Sequence, residues 1–181
     1  ALSRLRGEQP VSTAIRSDKL RVLLVANPLT DIGFGRAMRI PNLGLASIAS
    51  NVNRDICDVR VLDLVVAGRR PREVLRDTIQ SMEPHVVGLS SMTFQYEDTR
   101  ALARVVRETE PRALIVLGGY HATTAPEHVL CGDAACGEVD VLVRNEGERT
   151  FAALVDVLHS DSDYHELPNI SYRDGERVVN N

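Results

Sequence analysis

Five short apolar runs, each followed by a stretch whose apolar residues recur at three- and four-residue spacing, constrain most strongly how this chain can fold. The runs are LRVLLVAN (Leu20 to Asn27), DVRVLDL (Asp58 to Leu64), HVVGLSS (His85 to Ser91), ALIVLGG (Ala113 to Gly119) and VDVLVRN (Val139 to Asn145). Leu, Val and Ile fill most of them with little alternation, the pattern of strands buried on both faces. Between and after them, NLGLASIASNV, PREVLRDTIQSM, YEDTRALARVVRET, the weaker APEHVLCG and GERTFAALVDVLHS read as helices. In PREVLRDTIQSM, Val74, Leu75, Ile79 and Met82 share one face, and Pro71 suits a first helical turn. In the last helix Phe151, Leu154, Val155 and Leu158 form the buried stripe. Strands alternating with helices at this pitch require a parallel sheet covered on both sides and joined by right-handed crossovers. The expected fold is therefore an α/β three-layer sandwich on a five-stranded parallel sheet.

The tail differs in kind. LPNISYRDGERVVNN places Asp174-Gly175 between two β-rich pieces, the signal of a C-terminal β-hairpin. Such a piece is not another crossover unit and reads as an appended ribbon. With 181 residues the chain has the length of about one domain. We expect an arm at residues 1–19, the α/β domain at 20–160, and a hairpin or linker at 161–181 that leads toward something further.

Composition narrows the partners. A net charge of −4 argues against a nucleic-acid binder, which needs a basic face, and 4% aromatics supply few stacking platforms. No apolar stretch approaches a membrane span, and the first residues lack the apolar centre of a secretory signal. Cys57, Cys131 and Cys136 are odd in number and irregular in spacing, which suggests reduced thiols and a cytoplasmic setting. Cys131 and Cys136 read as small buried or loop residues, since no CxxC pair or spaced histidines accompany them as metal ligands. His85, His128, His159 and His165 receive no function.

In an open parallel sheet, ligands bind beyond the carboxyl ends of the strands, where strand order reverses. The first such loop, PLTDIGFGRAMRIPNLG, is long enough to be functional but has no GxGxxG leading into a helix, and the chain contains no GxxxxGK[ST]. Its Arg36 and Arg39 either meet an anionic ligand or are solvated. After the third strand, SSMTFQ offers hydroxyls and a thioether where a response regulator would carry its phosphoacceptor Asp. Those groups suit a neutral, partly aromatic ligand, although Ser90 or Ser91 can equally cap the next helix. After the fourth strand VLGGYHATTAPE puts Gly118 and Gly119 where something leaves no room for a side chain. After the fifth, RNEGERTF offers Gly147 for a tight turn, with Glu146 and Glu148 at a helix start that favours acids with or without a ligand.

Taken in order, RVLLVANP, IPNLGLASIAS, VRVLDL, PHVVGLSSMT, IVLGGYHATTAPE, VDVLVRNEGERTF and ISYRDGERV resemble the cobalamin-binding domain at the N-terminus of cobalamin-dependent radical S-adenosylmethionine enzymes, over about residues 20–180. The resemblance implies a Rossmann-like domain whose sheet edge faces the corrin ring, with the nucleotide tail entering between the third- and fourth-strand loops. It implies that Ser90, Ser91, Met92 and Thr93 meet the tail or its benzimidazole, and that Gly118 and Gly119 line its slot. Tyr120 and His121 would sit at the rim, Asn145, Glu146 and Gly147 would border the same pocket, and Pro41, Leu43 and Gly44 would lie beneath the corrin. A bulky residue at Gly119 is then expected to block the cofactor while leaving the fold intact.

The sequence departs from the wider cobalamin pattern in two places. The Asp-x-His-x-x-Gly motif that supplies a lower cobalt ligand is absent; the corresponding string is Asp31-Ile32-Gly33-Phe34-Gly35-Arg36. The chain also lacks CxxxCxxC, so an iron–sulfur cluster and S-adenosylmethionine would belong to a catalytic partner domain outside this chain. The expected function is a cobalamin-binding module of a methyltransferase-type radical enzyme, without catalytic or protein metal-ligating residues of its own. The alternatives are a cofactor-free, flavodoxin-like signalling or interaction domain, and an enzyme that uses a nucleotide on the same kind of sheet.

Overall fold

A computed structural model describes residues 19–28, 42–65, 70–131 and 137–181. Most of the expected arm, Pro41 with Arg36 and Arg39, and Cys136 lie outside the described residues.

The five apolar runs form parallel strands β1 (Leu20–Ala26), β2 (Cys57–Asp63), β3 (Val86–Ser90), β4 (Leu114–Gly118) and β5 (Val141–Val143), in the spatial order β2-β1-β3-β4-β5. The register aligns Leu24 with Gly88 and Gly88 with Val116. The chain steps outward from β1 to β2 and then returns to the other side of β1 with β3, so strand order reverses between β1 and β3. Connecting them are α1 (Leu43–Asn51), α2 (Pro71–Met82), a 3-10 turn at Thr93–Gln95 running into α3 (Tyr96–Thr109), the short α4 (Tyr120–Thr124) and α5 (Pro126–Leu130), and α6 (Gly147–His159).

Successive residues of the inner strands serve opposite layers, which is why β1, β3, β4 and β5 show so little polar alternation, whereas the edge strand β2 alternates. Leu23, Val25, Val87, Leu89, Ile115 and Leu117 pack under α2, α3 and α5. Leu20, Val22, Leu24, Val86, Val116 and Val143 pack under α1 and α6, against Leu45, Ala49, Phe151, Leu154 and Val155. Every strand residue in these two sets is essentially buried. Arg107 of α3 bolts one layer to the sheet: its guanidinium reaches Asp140 Oδ2 at 2.7 Å, and the same oxygen accepts the Ile115 N–H at 2.8 Å.

The tail forms a hairpin, β6 (Ile170–Asp174) and β7 (Arg177–Asn180), with Gly175 at φ +61° in its turn. It does not hang as a separate ribbon. β6 pairs antiparallel with β5, Val143 opposite Ile170 and Val141 opposite Tyr172, so the sheet has seven strands. Hairpin periodicity reports local pairing but not which sheet edge receives it; the buried Ile170 and Ser171 complete the side of β5 that would otherwise be open.

Candidate functional site

At the carboxyl end of the sheet, on the α1/α6 side, the structure opens a cleft of about 200 Å3. Its mouth consists of strand ends and helix starts: Ser90, Gly118, Gly119, Asn145, Glu146, Gly147, Glu148, Asn42 and Gly44. Its floor lies two residues deeper on the strands, and about a turn deeper on the helices, at Leu24, Gly88, Val116, Ile48 and Phe151. A space of this size falls below the roughly 300–1,000 Å3 of pockets that enclose a whole ligand.

Missing side chains shape the cleft. Gly118 faces the same side as Val116, and a Cβ there would meet only Val143 O at 3.6 Å, an ordinary contact. Gly119 has φ +92° and ψ −173°, a region open essentially to glycine alone, and a Cβ there would stand 2.8 Å from Ser91 O and 3.0 Å from Ser90 Oγ and Ser91 N. Those backbone atoms are already engaged: the Ser91 N–H donates to Gly118 O at 3.0 Å, and the His121 N–H donates to Ser91 O at 3.1 Å. Gly119 is therefore a fold position as well as a wall, and the expectation that a bulky residue there leaves the fold intact is corrected. Its backbone geometry, invisible in a Gly-Gly string, is the reason.

The two serines part company. Ser90 is half-buried at the mouth, its hydroxyl beside Gly119. Ser91 is fully buried and donates to Met92 O at 2.9 Å. Neither caps α3, whose N-cap is Gln95. Behind them Asn27 at the end of β1 donates through Nδ2 to Ser90 O at 3.1 Å and to Thr99 Oγ1 at 2.5 Å, and Thr99 Oγ1 lies 3.0 Å from Ser91 Oγ. Because Ser90 O only accepts, the Asn27 amide is oriented with its nitrogen toward it, and Asn27 Oδ1 stays buried without a partner. This buried chain clamps the β3 loop to β1 and α3.

Asn145 takes the left-handed conformation at φ +59°, held by its N–H on Thr123 Oγ1 at 2.9 Å and its amide on Asn169 Oδ1 at 3.0 Å. Glu146 is the N-cap of α6 but makes no side-chain cap bond. Glu148 instead accepts from Ser47 Oγ at 2.8 Å and so joins α6 to α1 across the mouth. Asn42 caps α1 by accepting the Leu45 N–H at 3.0 Å.

Met92, Thr93, Tyr120, His121 and Leu43 lie outside the cleft lining. Met92, Thr93, Tyr120 and Leu43 are exposed near the same sheet edge. His121 is buried under Tyr96, ring centres 4.3 Å apart, with Nε2 3.1 Å from His128 Nδ1 and Nδ1 3.4 Å from Thr93 Oγ1. Burial, and then the neighbouring His128, hold its imidazole below the ordinary histidine value. No group of three or more His, Cys, Asp or Glu suited to a metal occurs among the described residues, and none of their helices is long and apolar enough to cross a membrane.

Sequence reasoning missed the floor, Leu24, Ile48, Gly88, Val116 and Phe151, along with Asn42 at the mouth, and named Glu148 only as a helix-start acid with or without a ligand. One signal was available: Gly88 interrupts an otherwise apolar strand, which marks a close approach. A Cβ at 88 would meet Leu24 Cδ2 at 2.6 Å.

An open, mostly parallel sheet with a glycine-lined cleft at its carboxyl edge, close to the reversal of strand order, defines a Rossmann-like domain. Residues 30–155 match the family described as B12 binding domain, and the chain belongs to that family. An uncharacterized methyltransferase of Pyrococcus horikoshii is 30% identical over 163 residues, 89% of this chain and 34% of that protein. A cobalamin-dependent radical SAM methyltransferase of Streptomyces tokunonensis, TokK, is 33% identical over 99 residues, 54% of this chain and 14% of that protein. The radical S-adenosylmethionine methyltransferase TsrM of Kitasatospora setae, solved with cobalamin and a [4Fe-4S] cluster, superposes with a TM-score of 0.71 at 18% identity, over 90% of this chain and 28% of that one. That likeness shows the fold. The chain spans about a third or less of the length of these proteins.

Proposed function

We propose that the chain binds cobalamin as the cofactor module of a larger radical S-adenosylmethionine enzyme, a methyltransferase or a related one. The observation that carries this reading is the glycine-lined cleft in a domain of the B12-binding family: it is narrow, polar at the mouth, apolar at the floor, and sized for one end of a ligand. These residues fit the cofactor's nucleotide tail. Ser90, Gly118, Gly119, Asn145, Glu146, Gly147 and Gly44 would hold it, with Ser91 acting from behind through the β3 loop. Met92, Thr93, Tyr120, Leu43 and Pro41 would border the corrin, with His121 supporting the rim from beneath. Cobalamin bound there supplies a cobalt centre that can take up and hand on a methyl group.

The protein's own work is to bind and orient. It offers no imidazole from the first loop, because no histidine precedes His85. His121, two residues after Gly119 at the mouth, is packed against Tyr96 and His128. The cobalt would therefore lack a protein histidine below it. Three cysteines without CxxxCxxC spacing leave the iron–sulfur cluster and S-adenosylmethionine to a catalytic partner domain, with residues 161–181 as the passage toward it and 20–160 as the cofactor module. Reduced thiols suit a cytoplasmic enzyme. A signalling role finds less support, since Ser90 stands at the end of β3 where a phosphoacceptor carboxylate would be needed.

The test is incubation with hydroxocobalamin, desalting and an ultraviolet-visible spectrum. The expected result is retained corrinoid with the spectrum of a form lacking a lower nitrogen ligand. No retention at micromolar protein refutes the reading.

A further inference from the structure

We infer that the cleft floor selects the lower base of the corrinoid, favouring an apolar benzimidazole-type base over a purine. This rests on the cobalamin reading above and deepens it.

The cleft is ordered from a polar mouth to an apolar floor. Its polar groups, Ser90, Asn145, Glu146, Glu148 and Asn42, sit at strand ends and helix starts. Two residues deeper, about 6–7 Å along a strand, every lining residue is apolar or glycine: Leu24 on β1, Gly88 on β3 and Val116 on β4, with Ile48 and Phe151 from the covering helices. The main chain supplies no partner there either. β1, β3 and β4 are all internal strands, so their amides and carbonyls are committed to ladders on both sides. Gly88 offers no side chain, and the space a Cβ would need is filled by Leu24 Cδ2, 2.6 Å from that position, with Phe151 Cε2 at 3.6 Å. The floor therefore presents hydrocarbon and an aromatic ring.

A dimethylbenzimidazole entering methyl edge first would bury its benzene ring and two methyl groups there and keep its one acceptor nitrogen toward the polar mouth, so it asks for no hydrogen bond from the floor. An adenine brings an exocyclic amine and ring nitrogens that hydrogen-bond in water. On this floor they lose those partners and gain none, and a buried unsatisfied polar group weakens binding by about tenfold to a hundredfold. Discrimination by unpaired polar groups is also steeper than discrimination by size alone.

The experiment is a spectral titration of the protein with three corrinoids: cobalamin, its analogue with adenine as the lower base, and cobinamide, which has no nucleotide tail. Cobalamin should bind tightest, the adenine form about tenfold to a hundredfold weaker, and cobinamide weaker than cobalamin. In Val116→Thr, which places one hydroxyl on the floor at nearly constant shape, the ratio between the two bases should narrow at least about threefold. Equal or tighter binding of the adenine form overturns the inference while leaving cobalamin binding intact. Cobinamide binding as tightly as cobalamin overturns it by showing that no tail enters the cleft, and an unchanged ratio in a folded Val116→Thr overturns the role of the floor. If Val116→Thr does not fold, the parent ratio decides. Binding of none of the three removes the cobalamin reading and this inference together.

Discussion

The adjacent glycines of β4 and its exit should respond to substitution in opposite ways. Gly118 faces the cleft with ordinary backbone, and an added Cβ would have Val143 O at 3.6 Å as its nearest neighbour. Gly118→Val therefore leaves the fold almost untouched, and its three side-chain carbons occupy space the cofactor tail would use. At about 0.8 kcal/mol for each carbon of contact displaced, the loss is about 2.4 kcal/mol, or about fiftyfold in Kd. Gly119→Ala adds a single carbon but acts on the fold. Its φ of +92° costs an L-residue about 1–3 kcal/mol, and a Cβ 2.8 Å from Ser91 O forces the β3 and β4 loops apart for about 1–3 kcal/mol more. At about 2–4 °C per kcal/mol for a chain of this size, the combined 2–6 kcal/mol lowers Tm by about 4–24 °C. Thermal melting by circular dichroism, paired with hydroxocobalamin titration, reads both variants. The reasoning is refuted if Gly119→Ala melts within about 2 °C of the parent, or if Gly118→Val keeps the parent's Kd.

Asn27→Asp replaces the two N–H donations to Ser90 O and Thr99 Oγ1 with a carboxylate facing a carbonyl, so at neutral pH stability should fall by at least about 2 kcal/mol; acidification should recover part of this as the acid regains a donor, and a pH-independent loss in urea melts contradicts the clamp. Burial holds the His121 imidazole below the ordinary histidine value of about 6.5, so the unfolded chain binds its proton first as pH drops. Its contribution to stability is complete above about 6.5 and declines as pH falls from there toward the lower folded value; His121→Asn should flatten that part of the urea midpoint against pH, and an unchanged slope rejects the assignment. Tyr164 is fully buried with its hydroxyl unpaired, and burial, with Asp140 and Asp163 nearby, pushes its ionisation well above the ordinary tyrosine value. Tyr164→Phe should raise Tm by about 2–4 °C, corresponding to about 1 kcal/mol, and a fall of similar size disproves the orphaned hydroxyl.

The sequence carries the layers of the fold in its periodicity. Runs rich in Leu, Val and Ile place β1 to β5 within a residue or two of their ends; burial on both faces strips nearly all polar positions from the inner strands β1, β3, β4 and β5, while the edge strand β2 keeps Asp58 and Arg60 exposed. Asp174-Gly175 marks the hairpin for an equally local reason, since the turn needs a residue that accepts positive φ. The residues that loop order brings to one edge were also legible: Gly44, Ser90, Gly118, Gly119, Asn145, Glu146 and Gly147 all line the cleft. All but Gly44 follow strand ends, which a parallel sheet gathers on one side; Gly44 lies in α1 and was named through the family resemblance, which set it beneath the corrin.

Tertiary structure decided what those residues can do. Only the packing of α3 against the sheet, with Thr99 beside Ser91, turns Ser91 into the interior and leaves Ser90 at the mouth, although the two are neighbours of the same type. His121 and Gly119 stand two residues apart, yet one is drawn beneath Tyr96 while the other remains at the cleft. The floor was beyond sequence reasoning because Leu24, Ile48, Gly88, Val116 and Phe151 come from five elements and look like core residues. Apolar character shows that a side chain leaves water. Whether it meets another side chain or an open cleft depends on how α1 and α6 splay over the sheet, which no local pattern encodes.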